Sequence, residues 1–155
     1  HVAMGFVHSR QDAEDITQEV FIRVFRSLES FKEQSLFSTW LYRITLNCSI
    51  NYVKKNKRRN LLTNTGDGLI NLFNRSGEER SAHQQLEATE KEEAIRKAID
   101  GLPGKQREAF ILSKYEELPQ REIAAIMQTT EGAVEQLLVR AKKQLQKKLA
   151  HLVGN

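Results

Sequence analysis

Apolar residues recur along this chain at steps of three and four, the period of a helix buried on one face. Ile16, Val20, Val24 and Leu28 follow one another at intervals of four, flanked by Ala13, Phe21 and Phe25, and Asp12 is placed to cap the helix they predict. Its opposite face carries Asp15, Gln18, Glu19, Arg23 and Arg26. Ser38 is placed to cap a second helix, with Leu41, Ile44, Cys48 and Tyr52 as its apolar row. Residues 83–100 read as a charged helix that turns apolar at Ile95, Ala98 and Ile99, ends at Gly101 and is followed by Leu102. Pro103 suits the first turn of the next helix, where a missing N–H costs little; Ala109, Phe110, Leu112 and Tyr115 are its apolar positions. Pro119 opens a short helix reaching Met127, and Thr130 can cap a last one whose row is Val134, Leu138, Ala141, Leu145 and Leu149. Nothing alternates in polarity as a half-buried strand would. The predicted fold class is all-α.

Between the periodic stretches lies Leu61 to Arg80, where three glycines and three asparagines break any helical period. The chain therefore divides into residues 1–60, a flexible linker over 61–82, and residues 83–155: two small helical domains. No capped start precedes Val2–Val7, so the first helix is expected to lack its N-terminal part. No apolar run approaches the ~20 residues of a membrane-spanning helix. One cysteine, Cys48, excludes an intramolecular disulfide, and with no signal-like start the expected compartment is the cytoplasm. The four histidines lie far apart, so neither a metal site nor a cofactor is expected. The net charge of +4 is modest and matters only where it clusters.

One cluster follows the turn between the last two helices. Ile123 and Met127 offer apolar groups, Ala124 leaves room for close approach, and Val134 with Leu137 or Leu138 returns the contact; this is the helix-turn-helix pattern. In that motif the second helix enters the major groove and its N-terminal residues meet base edges. The candidates there are Thr130, Glu131, Ala133, Glu135 and Gln136, with Arg140, Lys142, Lys143, Lys147 and Lys148 further along where phosphates would lie. Gln128 occupies the turn position usually held by glycine. Glu131 and Glu135 would repel phosphate, although a glutamate can accept from cytosine N4.

The second cluster runs from Phe31 to Arg59. Phe31, Phe37 and Trp40 lead into a helix that ends in Lys54, Lys55, Lys57, Arg58 and Arg59. Basic charge holds a phosphate backbone, and aromatic and polar loop residues can stack on or pocket an unpaired base. The combination suits single-stranded or melting DNA better than intact duplex. Aromatics at helical spacing also serve a core, and a basic helix end is favoured by the helix dipole without any ligand.

Taken in order, Asp12-Ala-Glu-Asp-Ile-Thr-Gln-Glu-Val-Phe, Phe37-Ser-Thr-Trp-Leu-Tyr-Arg-Ile with Asn47, Leu102-Pro-Gly-Lys-Gln-Arg-Glu-Ala-Phe, Glu122-Ile-Ala and Val139-Arg-Ala-Lys resemble the extracytoplasmic-function class of bacterial sigma factors. The resemblance covers nearly the whole chain apart from 61–82, and two independent motif sets in the right order are more specific than either. It implies a region 2 domain and a region 4 domain. It implies that the acidic helix, through Asp12, Asp15, Gln18, Glu19 and Phe21, docks on the β′ clamp helices of core RNA polymerase. It implies that Phe37, Ser38, Thr39, Arg43, Asn47, Asn51, Lys54, Lys55 and Arg58 serve the −10 element. The −35 element would be read by the helix-turn-helix through Thr130, Glu131, Ala133, Glu135, Gln136, Arg140 and Lys143. The β flap, promoter DNA and an anti-sigma factor, often membrane-anchored, are the further partners it implies; no small-molecule substrate is among them. Where many relatives carry Thr-Val-Lys-Ser-Arg, this recognition helix has Ala133-Val134-Glu135-Gln136-Leu137, so Lys and Arg contacts there do not carry over.

Two other function classes fit the residues less well. An ordinary helix-turn-helix regulator would bind duplex DNA as a dimer, but it has no use for an aromatic-basic module suited to separated strands. An enzyme would need a nucleophile with its base, a metal cluster or a phosphate-cradling loop. Gly66-Asp67-Gly68 lacks the strand and helix that such a loop requires.

Overall fold

The computed structural model describes residues 1–32, 34–63 and 82–153. The expected linker, 61–82, therefore lies outside the described part except for residues 61–63 and 82. Seven α-helices and one 3-10 turn make up the described residues: α1 Val2–Val7, α2 Arg10–Ser27, the turn Leu28–Ser30, α3 Phe37–Thr63, α4 Ala82–Asp100, α5 Gly104–Tyr115, α6 Gln120–Met127 and α7 Glu131–Val153. No strand occurs among them.

Helix α2 begins earlier than its apolar row suggests. Ser9, in extended conformation, is the N-cap, and its hydroxyl accepts from the Asp12 N–H at 3.3 Å. Asp12 thus sits in the first turn, where its charge favours the helix dipole. Pro103 and Pro119 both occupy N-cap positions. The Thr130 hydroxyl accepts from the Ala133 N–H at 3.2 Å and caps α7, as the sequence predicts. Helix α3 starts at Phe37 and runs to Thr63. Its end carries two exposed leucines, Leu61 and Leu62, past the point at which the composition suggests a linker.

Two clusters form the interior. The larger joins Val2, Phe6 and Val7 of α1, Ile16 and Val20 of α2, and Leu46 of α3 to Ile111 and Leu112 of α5, Ile123 and Ile126 of α6, and Val134 of α7. Its residues come from both the N-terminal and the C-terminal domain, so the two are docked on a common core. Ile111 and Leu112 are wholly buried, and burial of such a side chain stabilises by about 1.5–3 kcal/mol. Gly5 makes the docking close: a Cβ there would stand 2.9 Å from Ile111 Cγ2. The smaller cluster, Ala98, Ile99, Leu102, Ala141 and Leu145, packs α4 on α7 within the C-terminal domain. The four-residue row of α2 runs off the core toward its end. Ile16 and Val20 are buried, Val24 is half-buried, and Leu28 is exposed.

Candidate functional site

Three surfaces gather the residues singled out in the sequence. The first is the outer face of α2. Asp15, Gln18 and Glu19 are exposed there, beside Phe21 and Phe25, which are 68% and 84% exposed. Two phenylalanines left this open beside a row of carboxylates are a surface suited to cover by a partner, because isolated apolar side chains are ordinary but a contiguous patch is not. Ile22 and Leu28 extend the patch. Glu19 pairs with Arg23 at 2.6 Å. Asp12 stands apart from this face: it is half-buried, and its carboxylate accepts from the Tyr52 hydroxyl at 2.8 Å. Burial first, and then that bond, raise the Tyr52 pKa.

The second surface starts at an aromatic cage. Phe31, Phe37 and Trp40 meet with ring centroids 5.0–5.7 Å apart, one pair edge-to-face. Trp40 is half-buried in this cage rather than lost in the main core, and Phe37 stays exposed. Ser38 is exposed and Thr39 buried. From there Asn47, Asn51, Lys54, Lys55 and Arg58 form an exposed stripe along α3, at steps of three and four. Leu46 and Cys48 face inward, and burial pushes the Cys48 thiol pKa up, which disfavours the thiolate. Arg43 begins the stripe but points elsewhere. Its Nη2 donates to the Ala125 carbonyl at 2.6 Å and its Nε to the Ile126 carbonyl at 3.2 Å, both in the last turn of α6.

The third surface is the start of α7. Gln128 takes the left-handed conformation at φ 55° that the turn between α6 and α7 requires, and its N–H closes onto α6. The turn therefore forms without glycine. Glu131, Glu135, Gln136, Arg140 and Lys143 are exposed and Ala133 is half-buried. A hollow of about 440 Å³ opens at the turn, lined in part by Lys105, Gln128, Ala133, Gln136 and Arg140. Lys105 comes from α5 and carries no helix-turn-helix signal in the sequence; only folding brings it beside Arg140. Among the described residues no group of His, Cys, Asp or Glu is arranged to hold a metal ion, and no helix is long and apolar enough to cross a membrane.

Residues 1–59 match the profile of sigma-70 region 2, and residues 92–145 match that of sigma-70, region 4. The chain is 32% identical to the RNA polymerase sigma-H factor of Pseudomonas aeruginosa over 96% of its own length and 78% of that protein. It is also 33% identical to the ECF RNA polymerase sigma-E factor of Escherichia coli, over 92% of this chain and 76% of that protein. The chain belongs to the extracytoplasmic-function class of sigma-70 factors. Two solved structures share the fold. CnrH in complex with the cytosolic domain of CnrY matches at a TM-score of 0.66 and 23% identity over 97% of this chain and 79% of that one. The sigma factor RpoE in complex with the anti-sigma factor NepR, from Bartonella quintana, matches at 0.64 and 24%, over 96% and 88%. A sigma factor directs RNA polymerase to promoters, and this one carries an aromatic-basic domain and a helix-turn-helix domain on one chain.

Sequence reasoning missed how the two domains of this sigma factor meet. Arg107 of α5 is buried; its Nη2 donates to the Phe6 carbonyl of α1 at 2.6 Å and to Asp100, and its guanidinium stands 5.0 Å from the Phe6 ring centroid. Burial lowers the Arg107 pKa, against the pull of Asp100. His8 Nε2 lies 2.9 Å from Asp100 Oδ1. Burial would raise the Asp100 pKa, but the His8 bond and the Arg107 charge hold it below the usual value. Tyr42 of α3 donates to Glu116 at 2.8 Å. Arg107 was visible in the sequence as part of Leu102-Pro-Gly-Lys-Gln-Arg, but nothing local marks it as a buried arginine.

Proposed function

We propose that this sigma factor divides its work among the three surfaces. The open face of α2, with Asp15, Gln18, Glu19 and Phe21, docks on the β′ clamp helices of core polymerase; Asp12 supports it from beneath through Tyr52. The cage of Phe31, Phe37 and Trp40 takes an unpaired base of the −10 element. Ser38, Asn47, Asn51, Lys54, Lys55 and Arg58 follow its strand. The α7 N-terminus, with Thr130, Glu131, Ala133, Glu135 and Gln136, reads the −35 major groove. Arg140 and Lys143 hold its phosphates, and the same domain meets the β flap. The observation that carries this reading is the pairing of two unlike nucleic-acid surfaces on one chain. A stacking cage with a basic stripe needs a separated strand, whereas a capped helix with an open first turn needs an intact groove.

The likeness to the NepR-bound and CnrY-bound proteins supports an anti-sigma factor as a partner here, membrane-anchored as is common in the class, with the sigma factor itself in the cytoplasm. The factor acts by binding and has no chemistry of its own. In-vitro transcription with core polymerase on a fragmented genome, with the transcript starts sequenced, tests the reading. Starts should share two upstream elements at fixed spacing. A chain that binds duplex DNA without core polymerase and directs no starts would instead be a helix-turn-helix regulator.

A further inference from the structure

A base pair is read in the major groove by side chains whose donors and acceptors match its edge. Arginine and lysine suit guanine, glutamine and asparagine suit adenine, and a carboxylate suits cytosine. From Glu131 to Val139 helix α7 carries no lysine or arginine, so its first two turns lack the commonest guanine contact. The polar side chains exposed there are two glutamates, Glu131 and Glu135, and one amide, Gln136. Thr130 is already engaged, because its hydroxyl accepts from the Ala133 N–H to cap the helix.

The fold separates the amide from the carboxylates. The hollow at the turn between α6 and α7 takes Ala133, Gln136, Leu137 and Arg140 from one side of α7, and Lys105 from the start of α5. Neither glutamate lines it. Ala133 and Leu137 are half-buried and give the hollow an apolar floor, while Gln136, Arg140 and Lys105 are exposed around it. Lys105 is held in place. Its ammonium pairs with the buried Glu108 at 2.9 Å, and of the three donors on an ammonium two remain for a ligand. Arg140 lies four residues beyond Gln136, about 6 Å further along the helix axis. That is close to two base steps of about 3.4 Å.

Given the two-element reading above, on which it rests, we propose that this hollow sets the base preference of the −35 element. Gln136 reads one adenine, and Lys105 with Arg140 holds the phosphate backbone beside it. The Gln136 NH2 donates to adenine N7, and its carbonyl accepts from the N6 amino group. Guanine presents two acceptors at the same edge, N7 and O6, so one end of the amide would face a like partner. Cytosine offers only a donor and thymine only an acceptor beside its methyl group. Lys105 stands outside the helix-turn-helix and supplies charge that the start of α7 lacks.

The test is a selection on the full chain assembled with core polymerase. The duplex upstream of a mapped start is randomised, and the templates that initiate are sequenced. Wild type should enrich adenine at one upstream position by about tenfold or more. Gln136→Ala should lose that enrichment at the same position alone. Gln136→Arg should exchange it for guanine, because a guanidinium pairs with O6 and N7. An adenine preference that survives both substitutions overturns the assignment, and so does a wild type that enriches other bases but no adenine. A wild type that enriches no upstream sequence at all removes the two-element reading itself, and this inference with it. Lys105→Gln keeps a donor for Glu108 and removes the charge. It should weaken binding to all upstream duplexes alike, leave the selected sequence unchanged and flatten the log–log salt slope by about 0.9. An unchanged slope overturns the backbone role of Lys105.

Discussion

Gln128 holds a backbone conformation, φ 55°, that costs a residue with a Cβ about 1–2 kcal/mol. Glycine there would remove that strain but gain freedom in the unfolded chain, worth about 0.4–1 kcal/mol. Gln128→Gly should therefore stabilise the protein by about 0.5–1 kcal/mol in a urea melt. An unchanged or lower midpoint would show that the Gln128 side chain supports the turn. Tyr42 makes a second residue-level case. Burial, and then its bond to Glu116, push its hydroxyl up to about 12. Its folded pKa thus lies above the ordinary value of about 10. The stabilisation is complete below about pH 10 and disappears as the pH rises through about 12. Tyr42→Phe should lose about 1 kcal/mol at pH 7, the worth of one hydrogen bond. The difference from wild type should close on the alkaline side, which denaturant melts at pH 7 and above pH 10 will show.

At the scale of the element, α2 carries its core contacts and its proposed polymerase-docking face on opposite sides. Ile16 and Val20 anchor it, while Asp15, Glu19, Phe21 and Phe25 contribute little to the fold because they face water. Asp15→Lys with Glu19→Lys should leave the far-ultraviolet circular dichroism intact. Loss of the Glu19–Arg23 pair costs no more than about 0.5 kcal/mol. Binding to core polymerase should fall at least tenfold, as read by competition for core. If affinity is unchanged, the acidic face is merely solvated. The stripe on α3 behaves in the same way. Lys54, Lys55 and Arg58 project from its solvent side while Leu46 and Cys48 hold the other side in place.

For the whole molecule, the two proposed nucleic-acid surfaces should respond differently to salt and to strand separation. Removing one cation from a phosphate flattens the log–log salt dependence by about 0.9 on duplex and about 0.7 on single strands. Lys54→Ala with Lys55→Ala should flatten binding to a pre-melted −10 fork and slow open-complex formation, and a pre-melted template should recover part of that defect. Arg140→Ala should weaken binding to duplex −35 DNA, with no recovery from pre-melting. Binding curves against salt on the two templates separate these outcomes. Identical responses of both variants would remove the division of labour and favour a plain duplex-binding regulator.

Much of the molecule is legible in the sequence because it is set by neighbours three and four residues apart. The all-α class, the amphipathic α2, the helix-turn-helix with its Thr130 cap and the family itself all follow from local spacing and motif order. What the tertiary structure alone decided involves residues about 35 to 100 positions apart. Arg43 meets Ala125 and Ile126, Arg107 meets Phe6, and Lys105 comes beside Arg140. Local pattern also misplaced the start of α2, because capping by Ser9 depends on a backbone turn that an apolar row does not record. Hydrophobic periodicity says which face of a helix is buried but not which partner covers it, so the sequence predicts two domains and is silent on their common core. Long-range pairing is chosen only when all the faces are present and compete for one another. That choice brings Ile111 onto Gly5 and turns a candidate DNA-binding arginine into the cap of a neighbouring helix.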